Sequence, residues 1–197
     1  MLTVSQLSFE RHFQPVFQPL DFQLGAAGIL IVTGDNGSGK TTLIRLLAGV
    51  LTPSQGSIEC QIDTVAYVGH QLAVKDDLSV VENLRFMAQF NGRGTSTVDT
   101  AVQQAGLWQV REQLARTLSA GQKKRCALAR LLLCPARLWL LDEPYSNLDE
   151  GGISLVDHLL QRHQLSGGLT VLATHGEHRP QLSRSADLHL QPGDVRP

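Results

Sequence analysis

Short runs of alternating apolar and polar residues fill the first third of the chain. They are Leu2–Phe9, Val16–Leu24, Ile29–Thr33, Ser57–Cys60 and Thr64–Val68, and a period of two predicts strands. The period then changes: Leu43, Leu46, Leu47 and Val50 predict a helix from Gly39 or Lys40 to Leu51, with Gly49 inside it and Thr52-Pro53 stopping it. The middle, about 78–134, predicts helices. Val80, Val81, Leu84, Met87 and Ala88 give one face, Ala101, Val102, Ala105 and Leu107 another, and Ala127–Leu133 a third, with Asn91–Thr95 as a loop. Leu138-Trp139-Leu140-Leu141 is a continuous apolar run between Pro135 and Pro144, the pattern of a strand buried on both faces. A helix over about 150–164, a strand over Leu169–Thr174, a short helix and a last strand near Ala186–Leu190 follow. Strands alternating with helices predict an α/β fold with a largely parallel sheet. The start adds antiparallel strands to that three-layer core, and a helical subdomain is inserted at about 78–134.

The chain of 197 residues predicts a single domain over 1–197. With 42% apolar and 18% charged residues it can build a sizeable core. The formal net charge of −1 gives no support for a generally basic nucleic-acid binder, so no direct nucleic-acid partner is expected. Cys60, Cys126 and Cys134 form no CxxC pair and no disulfide framework, as in a reducing compartment. No stretch approaches the ~20 apolar residues of a membrane helix. Met1–Gln6 lacks the basic flank and apolar block of a signal peptide. A soluble, cytoplasmic protein is expected, and any membrane part would come from another chain.

The strongest chemical signal is Gly34-Asp35-Asn36-Gly37-Ser38-Gly39-Lys40-Thr41-Thr42, which matches G-x-x-x-x-G-K-[ST] at every fixed position. A predicted strand precedes it and a predicted helix follows. A triphosphate needs many donors at close range. Glycines let backbone N–H groups turn inward, and the helix N-terminus adds partial positive charge. Lys40 is expected to reach the β- and γ-phosphates and the Thr41 hydroxyl to ligate Mg²⁺. Asp35 is an acid near phosphates and is read as pointing outward.

Leu138–Leu141 then delivers Asp142 and Glu143 to the carboxyl end of its strand, where open α/β sheets bind ligands. Asp142 is expected to hold Mg²⁺, directly or through water, and Glu143 to polarise the attacking water. Ser119 is a natural N-cap for the helix that carries Lys123, Lys124 and Arg125 in its first turns. Cations are disfavoured there. Two readings stay open: an anion docks at that end, or the basic start is simply solvated.

Leu118-Ser119-Ala120-Gly121-Gln122 ahead of Asp142-Glu143-Pro144, with the phosphate loop upstream, resembles the nucleotide-binding subunit of ABC transporters over nearly the whole chain. The resemblance implies an ABC-type phosphate-loop ATPase working as a homodimer. Ser119, Gly121 and Gln122 of one subunit would close over ATP held by the loop of the other. It implies a D-loop at Ser146-Asn147-Leu148-Asp149 and a switch histidine at His175, able to donate a hydrogen bond to the γ-phosphate or the attacking water. The family's glutamine near the start of the helical subdomain falls on His70, with Gln71 beside it, and either could do its work. The family's adenine-stacking aromatic falls on Arg11, with Phe9 and Phe13 two residues to either side. Arginine can stack on a base, and ordinary strand residues would give the same pattern.

Within that family the middle of the chain is more distinctive. Gly69-His70-Gln71 followed by Lys75, the alanine in Ser119-Ala120-Gly121 and Leu138-Trp139 before the acidic pair are similar to the ATP-binding proteins of bacterial cytochrome c maturation, described as haem exporters. This implies integral membrane permease subunits of that system as partners, a place on the cytoplasmic face of the inner membrane, and ATP hydrolysis coupled to haem delivery. No Cys-x-x-Cys-His pattern exists, so no direct haem ligation is expected. The nearest rival is the ATPase of another small exporter, for a drug, peptide or lipid. A non-transport ABC protein acting on ribosomes or DNA would bring a second cassette, a coiled-coil insertion or basic extensions. A GTPase would bring an N-K-x-D motif, which is absent.

Overall fold

The first apolar positions of the chain show how the pattern becomes structure. Leu2, Val4 and Leu7 are all buried, although Leu7 breaks the period of two. A bulge at Gln6, which has a φ of 47°, inserts the extra residue and returns Leu7 to the inner face. The computed structural model describes residues 1–92, 94, 96–175, 178, 180 and 182–193, which fall into two units.

The first unit comprises Met1–Gly69, Arg137–Glu143 and His163–Pro197. It contains β1 (Leu2–Ser8), β2 (Glu10–Arg11), β3 (Gln14–Pro15), β4 (Leu20–Leu24), β5 (Ile29–Thr33), α1 (Lys40–Leu47), β6 (Gln55–Cys60) and β7 (Val65–Val68). β8 (Leu138–Asp142), β9 (Leu169–Ala173) and β10 (Ser185–His189) complete it. An antiparallel sheet has the order β4-β1-β6, and a parallel sheet has the order β10-β5-β9-β8-β7. β2 and β3 form a hairpin of their own. One core joins Leu43, Ile44, Leu46 and Leu47 of α1 to Leu30, Val32, Leu140 and Val171 of the parallel sheet and to Leu2, Val4 and Leu24 of the antiparallel one. The fold is the α/β phosphate-loop class with a parallel sheet and an antiparallel addition, as the pattern predicts.

Register decides where chemistry sits. Asp142 pairs with Ala173, and Val32 with the same residue from the other side. The carboxyl ends of β5, β8 and β9 therefore lie level. Every residue of β8 and β9 is buried, which leaves charged groups only the strand ends.

The second unit comprises His70–Ala136 and Pro144–Arg162. It holds α2 (Val80–Phe90), α3 (Ser96–Gln104), α4 (Ala120–Ala129) and the start of α5 (Glu150–Leu165), whose last residues belong to the first unit. Ser79 with Glu82 and Ser119 with Gln122 close reciprocal capping boxes at α2 and α4. The segment 72–79 is tied down by side chains. Asn83 bonds both the N–H and the carbonyl of Lys75, Arg130 donates to the carbonyls of Leu72 and Ala73, and Lys123 pairs with Asp76 at 2.8 Å.

Three boundaries differ from the sequence reading. α1 stops at Leu47 rather than Leu51, because Gly49 takes a φ of 69° and its N–H bonds the Leu46 carbonyl, closing the helix end. The run Val16–Leu24 is strand only from Leu20: Pro19 has no N–H, and Phe17 makes a single bridge to Pro192. The helix starts at Ala120, capped by Ser119 as expected, but its Ala127–Leu133 portion gives way to a 3-10 turn over Arg130–Leu132. The short helix expected before the last strand falls largely on residues outside those described. Among the described residues no helix is long and apolar enough to cross a membrane.

Leu140 is fully buried in β8 between two neighbouring strands. Leu140→Ala should lower stability by about 3 kcal/mol, as large-to-small core changes do, read from the shift of the urea unfolding midpoint at constant slope.

Candidate nucleotide site

The loop Gly34–Gly39 leaves β5 and feeds α1 directly. Its turn requires glycine: Gly39 has a φ of 99°, and a Cβ there would come within 2.8 Å of the Phe17 ring. α1 has no side-chain N-cap and no acid in its first turn, so its leading N–H groups lack the usual side-chain partners. Lys40 is buried, and its Nζ donates to the carbonyls of Gly34 at 2.7 Å and Asp35 at 3.0 Å. Two of three donors thus shape the loop. Asp35, Asn36 and Gly37 are exposed, Thr41 is half-buried, and Thr42 is buried. The Asp35 side chain therefore faces solvent, as read from the sequence. Ser38 is buried with no protein partner for its hydroxyl.

The level strand ends bring the acidic pair and His175 to the same edge of the sheet. Asp142 is 1% exposed, and among the described residues neither carboxylate oxygen has a hydrogen-bond partner. A buried carboxylate left that way is costly unless a cation joins it. No cluster of three His, Cys, Asp or Glu exists among the described residues. A lone buried carboxylate fits a cation held partly by phosphates and water rather than an all-protein metal cage. Glu143 has a φ of 52°, an uncommon conformation for a side chain of its size, and its N–H bonds the Ala173 carbonyl at 2.9 Å. His175 Nε2 lies 3.2 Å from Glu143 Oε1. Burial pushes the Glu143 carboxyl above its ordinary range, against the opposing pull of His175 and Lys40. The contact between Glu143 and His175 is a feature the sequence reading missed, since no spacing rule links the two positions.

Arg11 is exposed in β2. The hairpin turn that follows has positive φ at both His12 and Phe13, and this puts Phe13 at the tip, 89% exposed. Val16 and Phe17, at the foot of the hairpin, pack against Gly39 of the loop. The hairpin is thereby anchored beside the phosphate loop.

His70 and Gln71 are both exposed and belong to the second unit. Ser119, Gly121 and Gln122 lie at the start of α4 in that unit, around a cavity of about 400 Å³. The basic first turns of α4 have partners inside the unit: Lys123 pairs with Asp76, Arg125 pairs with Asp149, and Lys124 is buried. In-chain carboxylates thus account for two of these cations, and neither open reading of the basic start is required for them.

The ABC transporter family model matches residues 17–146. The chain is 44% identical over 201 residues to the cytochrome c biogenesis ATP-binding export protein CcmA of Xanthomonas oryzae pv. oryzae, covering 97% of this chain and 94% of that protein. It is 39% identical over 203 residues to the protein of the same name from Paramagnetospirillum magneticum, covering 95% and 93%. Its backbone matches an ATP-binding subunit of an ABC transporter with a TM-score of 0.83 at 20% identity, over 99% of this chain and 90% of that one. A dimeric ATP-binding cassette in a post-hydrolysis state, bound to ADP and Pi, gives 0.83 at 18% identity over 99% and 98%. At these identities the structural likeness concerns the fold.

Because its carboxyl holds a proton more tightly folded than unfolded, Glu143 costs stability as pH rises from the ordinary glutamate range through its raised value. Glu143→Gln should therefore melt at a higher temperature than the parent, with a gap that opens across that pH window and is constant above it, measured by thermal denaturation.

Proposed function

Since the chain belongs to the ABC transporter ATP-binding family, in its CcmA cytochrome c biogenesis branch, we propose that it is the ATP-hydrolysing subunit of a haem-export or cytochrome c maturation complex. The observation that carries the reading is the buried Asp142, without a hydrogen-bond partner among the described residues, beside a Glu143 that both His175 and Lys40 act on. Lys40 would hold the β- and γ-phosphates of ATP, with the N–H groups of Gly34–Thr42 around them. Thr41 and Asp142 would hold Mg²⁺, which when bound neutralises charge on the phosphate oxygens. Glu143 would take the proton of the attacking water, a task that its upward shift toward neutral pH favours. His175 Nε2, 3.2 Å from that carboxylate, would orient Glu143 and the γ-phosphate together. The hairpin would present Phe13 and Arg11 to the base.

Ser119, Gly121 and Gln122 of a second copy would complete each site, so that ATP favours the closed homodimer over the open one. Only that difference in affinity can do work. The helical subdomain, about 78–134, would pass closure to integral membrane permease subunits on the cytoplasmic face of the bacterial inner membrane, through the region of His70, Gln71 and α2. Phe86 and Phe90 of α2 are exposed large apolar side chains suited to such a contact. An exporter for another cargo would use the same residues, and its partner would tell the two apart.

Glu143→Gln should retain ATP binding and lose turnover by about 10²- to 10⁴-fold, the range for loss of a general base, measured as phosphate release. Rapid steady-state hydrolysis by this variant would remove Glu143 from that role. The same variant, trapped with ATP and recovered from detergent-solubilised native membranes, should bring down cytochrome c maturation membrane proteins. An unrelated permease would keep the ABC mechanism and overturn the haem assignment, and ribosomal proteins alone would overturn transport.

A further inference from the structure

The segment that follows the acidic pair, Tyr145–Asp149, is held from two sides inside the second unit. At its start the Tyr145 hydroxyl donates to Asp157 Oδ1 of α5 at 2.7 Å. Burial, reinforced by that carboxylate, pushes the phenol well above its ordinary range, so it stays a donor throughout working pH. At its end Asp149 Oδ1 accepts from Arg125 Nη2 of α4 and from the Gly152 N–H, which caps α5. Between these anchors Asn147 sits at a φ of 60°, a conformation that asks for support from its surroundings.

The room for this joint is made by glycines. A Cβ at Gly121 would lie 2.9 Å from the Asn147 carbonyl oxygen, so the signature turn and the loop touch backbone to backbone. A Cβ at Gly106 would lie 2.8 Å from the Arg125 guanidinium, and one at Gly151 would lie 3.1 Å from it. The guanidinium is thus seated among backbone, with its side chain 17% exposed. Such a fork holds two directions at once, which a lysine could not copy.

We propose that Arg125 and Tyr145 are positioning residues that lock Tyr145–Asp149 to the signature turn, so that Ser119–Gln122 and Asn147 meet an incoming second copy as one rigid surface. This rests on the dimeric ATPase reading above. Both residues belong to the second unit, whereas the phosphate loop belongs to the first. Loss of the lock therefore weakens the ATP-driven association of two copies while leaving ATP capture by one copy in place. Preorganisation is the physical gain: a surface already ordered loses less freedom when it binds.

The test uses the full chain carrying Glu143→Gln, with ATP-dependent dimerisation followed by analytical ultracentrifugation and single-copy affinity by a fluorescent ATP analogue. Adding Arg125→Lys, Asp149→Asn or Tyr145→Phe should raise the ATP concentration needed for half-dimerisation by about ten-fold, the size of one lost charge-assisted or buried hydrogen bond. Analogue affinity should stay within about two-fold and the melting temperature close to the parent, since the changes leave the phosphate-loop unit's core intact. Joint loss of affinity and dimerisation would mark a general structural role and overturn the proposal, as would dimerisation unchanged in all three variants. If Glu143→Gln alone forms no ATP-dependent dimer, the function reading fails and this inference falls with it; failure of the added variants alone leaves that reading standing.

Discussion

A buried charge has to be answered by its surroundings, and the parallel sheet of this protein sets where that happens. Its inner strands β8 and β9 are buried over their whole length and carry no charged residue before Asp142 at the end of β8, so a carboxylate is tolerated only where the strand ends. Asp142 reaches that point at 1% exposure, and Lys40 enters the same edge of the sheet at 6%. The lysine is answered by two loop carbonyls. The aspartate has no hydrogen-bond partner among the described residues. On the proposed reading, a lysine already bonded within the loop and a buried carboxylate without such bonds suit a ligand that brings both phosphates and a metal ion.

From that constraint the remaining features of the first unit follow in order. The glycine turn before α1 aims leading N–H groups at the loop, and the level register of β5, β8 and β9 sets His175 against Glu143. Desolvation raises the Glu143 carboxyl, and His175 and Lys40 keep that rise in check. A general base must be basic enough to take a proton, and desolvation moves the Glu143 carboxyl in that direction.

Much of this was legible because it is local. Ile29–Thr33 has the same bounds as its predicted strand, and Leu138–Leu141 reads as a buried strand from four letters. The phosphate loop is legible because its function demands a fixed run of residue types. What escaped was long-range. Gly49 lies inside a helical pattern, and only the backbone shows that it closes the helix. For the cations at the start of α4, the sequence leaves open both an anion from outside and simple solvation. Their partners, Asp76 and Asp149, lie far along the chain on either side, and no periodicity connects them. The exposure of Phe13 depends on two residues of positive φ whose identities, His and Phe, do not announce such a turn.

The two strained positions near the acidic pair are informative together. Glu143 and Asn147 both have positive φ, at 52° and 60°, and only three residues separate them. Non-glycine residues keep such conformations when neighbouring contacts over-determine them. Glu143 has its N–H fixed to Ala173, whereas Asn147 has Tyr145 and Asp149 anchored on either side. Along the chain, the step from Glu143 to Pro144 is also where one unit gives way to the other. On the proposed reading, the residue that activates water and the loop beside the signature turn are thus joined by a short covalent path with fixed ends. A change in backbone at one end has few torsions in which to dissipate. Such a connection favours all-or-none response over gradual adjustment, which is what an ATPase needs if hydrolysis at one place is to alter association at another.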